Sequence, residues 1–176
     1  MSVSSPLFAI AERIDRVTSA VGRAAACLTL FVVALQFIVV VLRYAFGLGS
    51  IWLSETIVYA HAAMFMLAAA WTLRAGGHVR VDVFYAQASA RTKALVDLVG
   101  ALFLLLPFAL ALAWLAVPYV ARSWAVLERS HETSGLPLVF LLKTLILLFS
   151  LLMALQGIAQ AIRAAYVLAE NRAGER

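Results

Sequence analysis

Four long stretches without a single Asp, Glu, Lys or Arg, Ala24–Leu42, Ile57–Leu73, Leu98–Ala121 and Thr144–Ile162, alternate with short segments that carry the charge. Each is about 17–24 residues long, the length a helix needs to cross a hydrocarbon core of about 30 Å. Only helices and closed barrels satisfy every backbone group in lipid, and the runs show no period-2 alternation of the kind a barrel strand carries. The pattern therefore predicts an all-α membrane protein with four transmembrane helices, at about 24–45, 51–74, 94–121 and 137–165, forming a single membrane domain over 1–176.

Two shorter segments read differently. In the arm over 5–22, Leu7, Ile10, Ile14, Val17 and Val21 recur at steps of three and four while Glu12, Arg13, Asp15 and Arg16 take other faces. That pattern predicts an amphipathic helix lying on the inner leaflet, the alternative being a simple extension of the first membrane helix. After the second run, Gly76-Gly77 marks a break, and Val79, Val81 and Val83 alternate with His78, Arg80 and Asp82 as in an extended or tightly turned stretch. Ala86–Lys93 then reads as a short surface helix leading into the third span. Pro107 falls in the middle of that span and is expected to bend it by removing one backbone hydrogen bond, whereas Pro118 is assigned to its outer end. Gly135-Leu136-Pro137 reads as a turn with proline in the first turn of the fourth helix.

Charge sets the orientation. Arg13, Arg16, Arg23, Arg74, Arg80, Arg91, Lys93, Arg163, Arg172 and Arg176 lie on one side of the runs, and only Arg43, Arg122, Arg129 and Lys143 on the other. The positive-inside rule then places both termini and the central loop in the cytoplasm, an N-in/C-in layout. Tyr44, Trp52, Tyr119 and Trp124 fall at outer ends of the runs and Trp71, Tyr85 and Tyr166 toward inner ends, as interfacial aromatics do. The first run is too long for a cleavable signal peptide and follows a charged arm, so it is expected to stay as an anchor. Composition agrees: 65% of residues are apolar, 13% charged, and mean hydropathy is +0.98. The net charge of +5 reports topology, with no nucleic-acid partner implied. The one cysteine, Cys27, excludes an internal disulfide and a cysteine metal cluster, and is assigned to packing.

Candidate chemistry is sparse. Glu55, about one turn into the second helix with Trp52 on the same face, has two readings. One is a proton or cation site favoured by the helix dipole; the other, which is preferred, is an interfacial pair with Arg43 or Lys143. Lys143 can extend outward and pin the bundle or meet a partner. His61 is the histidine well inside a run, and with His78 and His131 in loops on opposite sides there is no axial pair for haem. No ligand spacing for zinc is present, so no metal or cofactor is expected and His61 is read as a helix-contact histidine. Adjacent Ser130, His131 and Glu132 do not make a triad, which is a spatial arrangement, so Glu128–Pro137 reads as an outer docking loop. His78, Arg80 and Asp82 form either a polar lock at the inner surface or a solvated loop.

Several of these residues together resemble a known family. Trp52 with Glu55 opening the second helix, the stretch from Arg74 through His78, Arg80 and Asp82, the loop from Glu128 to Ser134-Gly135-Leu136-Pro137, and Lys143 in the fourth helix resemble the small membrane subunit of tripartite ATP-independent periplasmic (TRAP) transporters, the DctQ family. The resemblance covers essentially the whole chain, with Arg74–Asp82 its strongest element; Val139-Phe140-Leu141-Leu142 before Lys143 departs from the expected proline or tryptophan. It implies a non-catalytic scaffold subunit of a secondary, sodium-coupled importer of an organic acid. Such a subunit packs in the lipid bilayer against a large multi-helix transport subunit and works with a periplasmic substrate-binding protein. Arg43, Trp52, Glu55, His78, Arg80, Asp82, Glu128 and Lys143 are then structural or docking residues. The competing readings are an autonomous proton-coupled homodimer working through Glu55, and a membrane anchor of a redox enzyme, which the missing histidine pair disfavours.

Overall fold

The structure is a computed structural model and describes residues 6–78 and 85–174. Its elements in chain order are α1 (Pro6–Phe46), α2 (Ile51–Arg74), α3 (Ala90–Gly100), α4 (Leu106–Ala125) and α5 (Val139–Gly174), and no strand occurs among the described residues. A π-helical turn, Ala101–Leu105, joins α3 to α4 into one continuous span. Four helical stretches, Pro6–Phe46, Ile51–Arg74, Ala90–Ala125 and Val139–Glu170, are long and apolar enough to cross a membrane.

Local chemistry sets most boundaries. Ser50 Oγ accepts from the Leu53 N–H at 3.3 Å and caps α2, and Ser89 Oγ accepts from the Thr92 N–H at 3.2 Å and caps α3. The cap at Ser89 starts the third span at Ala90, so Ala86–Lys93 is not a separate surface helix. α2 closes through Gly76 at φ +68°, with the Gly76 N–H on Leu73 O and the Gly77 N–H on Thr72 O, the Schellman pairing that glycine permits without strain. α4 closes the same way but with Leu127 at φ 44°, as Leu127 N–H reaches Trp124 O and Glu128 N–H reaches Ser123 O. That left-handed leucine costs about 1–2 kcal/mol and delivers Glu128 toward Lys143.

Just before Pro107 the helix widens into the π turn, where the Leu106 N–H reaches back to Ala101 O. Proline there lacks the N–H that would continue the ladder, and the widened turn absorbs the gap. Pro118 is interior, because α4 continues to Ala125. Pro137 lies two residues ahead of α5 rather than in its first turn.

α5 packs against every other helix, and α1 packs most extensively on α2. The buried positions are mainly small: Ala11, Ala25, Ala70, Ala109, Ala116 and Ala159 are all buried, while Leu30, Phe103 and Trp114 are 77%, 71% and 81% exposed. A water-soluble fold would invert that distribution; helices in lipid gain nothing by burying Leu over Ala and associate where small residues let backbones approach. Gly22 shows how close: a Cβ there would stand 2.3 Å from Trp71 Cβ. Gly22→Ala is therefore expected to separate α1 from α2 and to cost about 1–3 kcal/mol, read as a lower unfolding temperature in detergent.

The arm is the first part of α1, with no break before the apolar run. Its buried positions, Ala11, Asp15, Thr18, Ser19 and Gly22, make a small and polar stripe, whereas Leu7, Ile10 and Val17 are exposed. The arm is thus continuous with the first span and docks through this stripe on α2 and α5. Cys27, assigned to packing, is instead exposed, its thiol 3.6 Å from Arg23 O.

Candidate functional site

The polar side chains gather at the two ends of the bundle. At the end shared by the arm, the close of α2 and the second half of α5, Asp15 is 7% exposed and stands at the centre of a network. Arg163 grips it bidentately, through Nη1 on Oδ2 and Nη2 on Oδ1, the latter at 3.0 Å. Arg74 Nε lies 3.4 Å from Asp15 Oδ2, and Arg74 also donates to Ser19 Oγ. Gln156 Nε2 donates to Asp15 Oδ1 at 3.1 Å and its oxygen accepts from Thr18 Oγ1 at 2.9 Å. One carboxylate on α1 thereby fastens α2 and α5, with both oxygens and the buried amide satisfied. Of these residues the sequence marks only Arg74, as the start of the Arg74–Asp82 stretch; Asp15, Gln156 and Arg163 are not among its candidate site residues. Their signal was the spacing Ala11, Asp15, Thr18, Ser19, Gly22, a helix-contact stripe that places one acid among small residues.

At the opposite end Glu55 is held by the loop between α4 and α5. Ser130 Oγ donates to Glu55 Oε1, and the Leu136 N–H donates to Oε2 at 2.5 Å. The loop is folded onto itself for this purpose: Ser130 N–H reaches Leu136 O at 3.1 Å, Glu132 N–H reaches Ser130 Oγ at 3.2 Å, and Gly135 N–H reaches Glu132 O at 2.9 Å. Glu55 therefore pairs with neither Arg43 nor Lys143. Lys143 Nζ is 2.5 Å from Glu128 Oε2 and 4.1 Å from the centre of the Tyr119 ring, a salt bridge backed by a cation–π contact. Alongside, Trp124 Nε1 donates to Thr144 Oγ1 at 2.9 Å. The Ser130 hydroxyl is committed to Glu55, which gives that serine a role no triad reading contains.

The remaining predicted residues are dispersed. Arg43 is exposed at the end of α1 and lines, with Glu55 and Glu132, a shallow pocket of about 480 Å³. Trp52 is 51% exposed. His78 borders a cavity of about 580 Å³ between α2, α3 and α5, whose polar rim includes Asp97, Gln160 and Tyr85, the Tyr85 hydroxyl donating to Asp97 at 2.9 Å. Arg80 and Asp82 lie outside the described residues, and with them the proposed lock. His61 is exposed on α2 and not enclosed between the chain's own helices. Among the described residues no group of three or more metal-ligating side chains occurs.

The Lys143 ammonium, donating to Glu128, holds that carboxyl below the usual carboxylate range. A group with a lowered folded pKa contributes stability above its unfolded pKa and loses it as the pH falls through the folded value. The Glu128–Lys143 bridge is thus expected to be unchanged from pH 7 to 5 and to loosen only below about pH 4. The mobility of a spin label attached at Arg129, in a Cys27→Ser background, reads this directly; loosening between pH 7 and 5 would show that a different group controls the loop.

Comparison with known proteins bears on the whole bundle. No curated protein and no solved structure matches the chain. The family profile described as tripartite ATP-independent periplasmic transporters, DctQ component, matches residues 32–166, which run from within α1 to near the end of α5 and take in Glu55, Arg74, Ser130, Lys143 and Arg163, while the Asp15 segment precedes the match. With more than half of its length matched and four helices able to span a membrane, the chain belongs to the DctQ component family of tripartite ATP-independent periplasmic transporters.

Proposed function

We propose that this chain is the small, non-catalytic scaffold subunit of a sodium-coupled TRAP transporter importing an organic acid. It lies in the inner membrane with both termini cytoplasmic, packs against a large transport subunit, and works with a periplasmic binding protein. In this arrangement the exposed Leu7, Ile10 and Val17 of the arm meet the inner leaflet. The observation that carries the reading is where the polar groups sit. Asp15, Arg74, Arg163 and Gln156 at one end, and Glu55, Glu128, Lys143 and Ser130 at the other, hold the chain's own helices and loop together. Between them the core cluster is Ala70, Ala109, Leu152 and Met153. A substrate carboxylate and sodium need convergent polar groups at membrane depth, which this core does not offer, so the moving sites belong to a partner. The engagement of Glu55 by Ser130 and Leu136 also counts against the proton-coupled homodimer, whose carboxylate has to be free to exchange protons.

The test is affinity purification from native membranes in mild detergent, followed by mass spectrometry. A much larger multi-helix protein recovered at a fixed ratio is the expected result; recovery of this chain only with itself would sink the scaffold role.

A further inference from the structure

The outer surface of the bundle is not uniform. Along α3, the π turn and α4, the exposed large side chains at membrane depth include Val99, Leu102, Phe103, Leu104, Phe108 and Trp114, all suited to acyl chains. The α1–α2 hairpin differs. On α2, Ile51, Val58, His61 and Phe65 are exposed at spacings of seven, three and four, which puts them on one face. His61 is ten residues from Ile51 and thirteen from Arg74, roughly 15 Å and 20 Å along the helix, and so stands near the centre of a hydrocarbon core of about 30 Å.

A second polar side chain sits close in depth. Thr29 Oγ1 of α1 lies 3.1 Å from Met64 Sδ of α2, which fixes the antiparallel register. Gln36, seven residues beyond Thr29, is then within about one helical turn of the His61 level, and it too is exposed. Among the described residues neither the His61 ring nor the Gln36 amide makes a hydrogen bond. An imidazole and a primary amide bring at least three donors between them. Lipid tails satisfy none, and ionisable groups at this depth face protein or a water-filled cavity.

We infer that the α1–α2 face carrying Gln36, Val58, His61 and Phe65 is the docking surface for the large membrane subunit, a helix of which presents hydrogen-bonding groups to His61 and Gln36 at mid-membrane. This rests on the component reading above and adds to it which face meets the partner. The α3–α4 face is left to lipid. The Arg43, Glu55 and Glu132 pocket continues the same surface at the end of α2 and gives the contact a charged rim. A partner helix fits better than a second copy of this chain, because the family is by description one component of a tripartite system.

The experiment uses the co-expressed transporter in a Cys27→Ser background, with a photo-crosslinking phenylalanine analogue placed at Val58 or Phe65 and, for comparison, at Phe108 or Trp114. Adducts to the large subunit are expected from the first two positions only. The double variant His61→Leu with Gln36→Leu is expected to lower the large subunit recovered per small subunit by about three- to fifteen-fold, the range set by interhelical hydrogen bonds in membranes. His61→Asn, which keeps a donor, is expected to retain most of it. Were the face lipid-covered, the leucines would leave recovery unchanged or raise it, and that sign overturns the inference. So would adducts to the large subunit from Phe108 or Trp114, or an adduct between two copies of this chain. Absence of any large polypeptide from the unsubstituted sample overturns the component reading instead.

Discussion

Replacing Asp15 by alanine is expected to destabilise the solubilised chain by about 2–4 kcal/mol, the largest loss anticipated for any single substitution here. The reasoning starts from what is left behind. Arg163, Arg74 and the Gln156 amide all converge on this one carboxylate, so its removal leaves two like charges side by side with nothing between them. Breaking a buried pair by deleting one partner costs more than the pair contributes, since the survivors stay desolvated and uncompensated. The side chains of Arg163 and Arg74 are 35% and 43% exposed, which screens part of the effect and sets the figure below that of a fully buried triad. The Arg163→Ala change alone should cost less, because Arg74 and Gln156 still neutralise and bond Asp15. The double variant should then fall short of the sum, the signature of shared partners. At roughly 2–4 °C per kcal/mol for a chain of this size, a drop of about 5–15 °C in unfolding temperature is the readout. A drop under about 2 °C, or strict additivity with Arg163→Ala, would show that α1 is held by its small-residue packing alone.

That network also shows why one part of the molecule was readable in the sequence and another was not. The four spans follow from length and apolarity, which a single helix declares by itself. The docking of the arm does not, because hydropathy scores Asp15, Thr18 and Ser19 as a solvent face and Leu7, Ile10 and Val17 as a buried one. The packing face is the small one, and through it the arm is bound to α2 and α5. Arg163 lies 148 positions away from Asp15 and carries no local sign of its target. Lys143 was legible as a pin, but the choice of Glu128 over Glu55 depends on the left-handed turn at Leu127, an unusual place for leucine. Glu55 was weighed against cations because only charges announce themselves in a sequence; its actual partners are a serine hydroxyl and a backbone N–H. His61 was legible as an intramembrane histidine, and its direction was not. A helix apolar on all sides has no pattern from which to read which face is covered.

Gly135→Ala is expected to release the loop between α4 and α5 from α2, and Glu55→Gln to do the same from the other side of the contact. A Cβ on Gly135 would stand 2.3 Å from Ser130 Oγ, 2.5 Å from Ser130 Cβ and 2.8 Å from Glu55 Oε1, so the added methyl occupies the space in which the hydrogen bond is made. The Glu55 carboxylate can swing away, at the loss of its bond to Ser130, but Ser130 Cβ cannot, since its backbone is tied to Leu136. Glu55→Gln leaves the space intact but places an amide donor opposite either the Ser130 hydroxyl or the Leu136 N–H, and loses the charge that strengthened both bonds. Arg129 is exposed in this loop and supplies a trypsin site. Several-fold faster cleavage after Arg129 is therefore expected in both variants, with the rest of the bundle intact, as local opening rather than global unfolding. Equal cleavage in the unsubstituted chain and both variants would show that the loop is held by Leu136 burial and the Glu128–Lys143 bridge without Glu55. Transport separates the remaining readings. A structural Glu55 predicts that Glu55→Gln and Gly135→Ala impair assembly alike and that whatever complex forms still transports. A coupling carboxylate predicts that Glu55→Gln abolishes transport in an intact complex while Gly135→Ala, which leaves the carboxylate in place, does not.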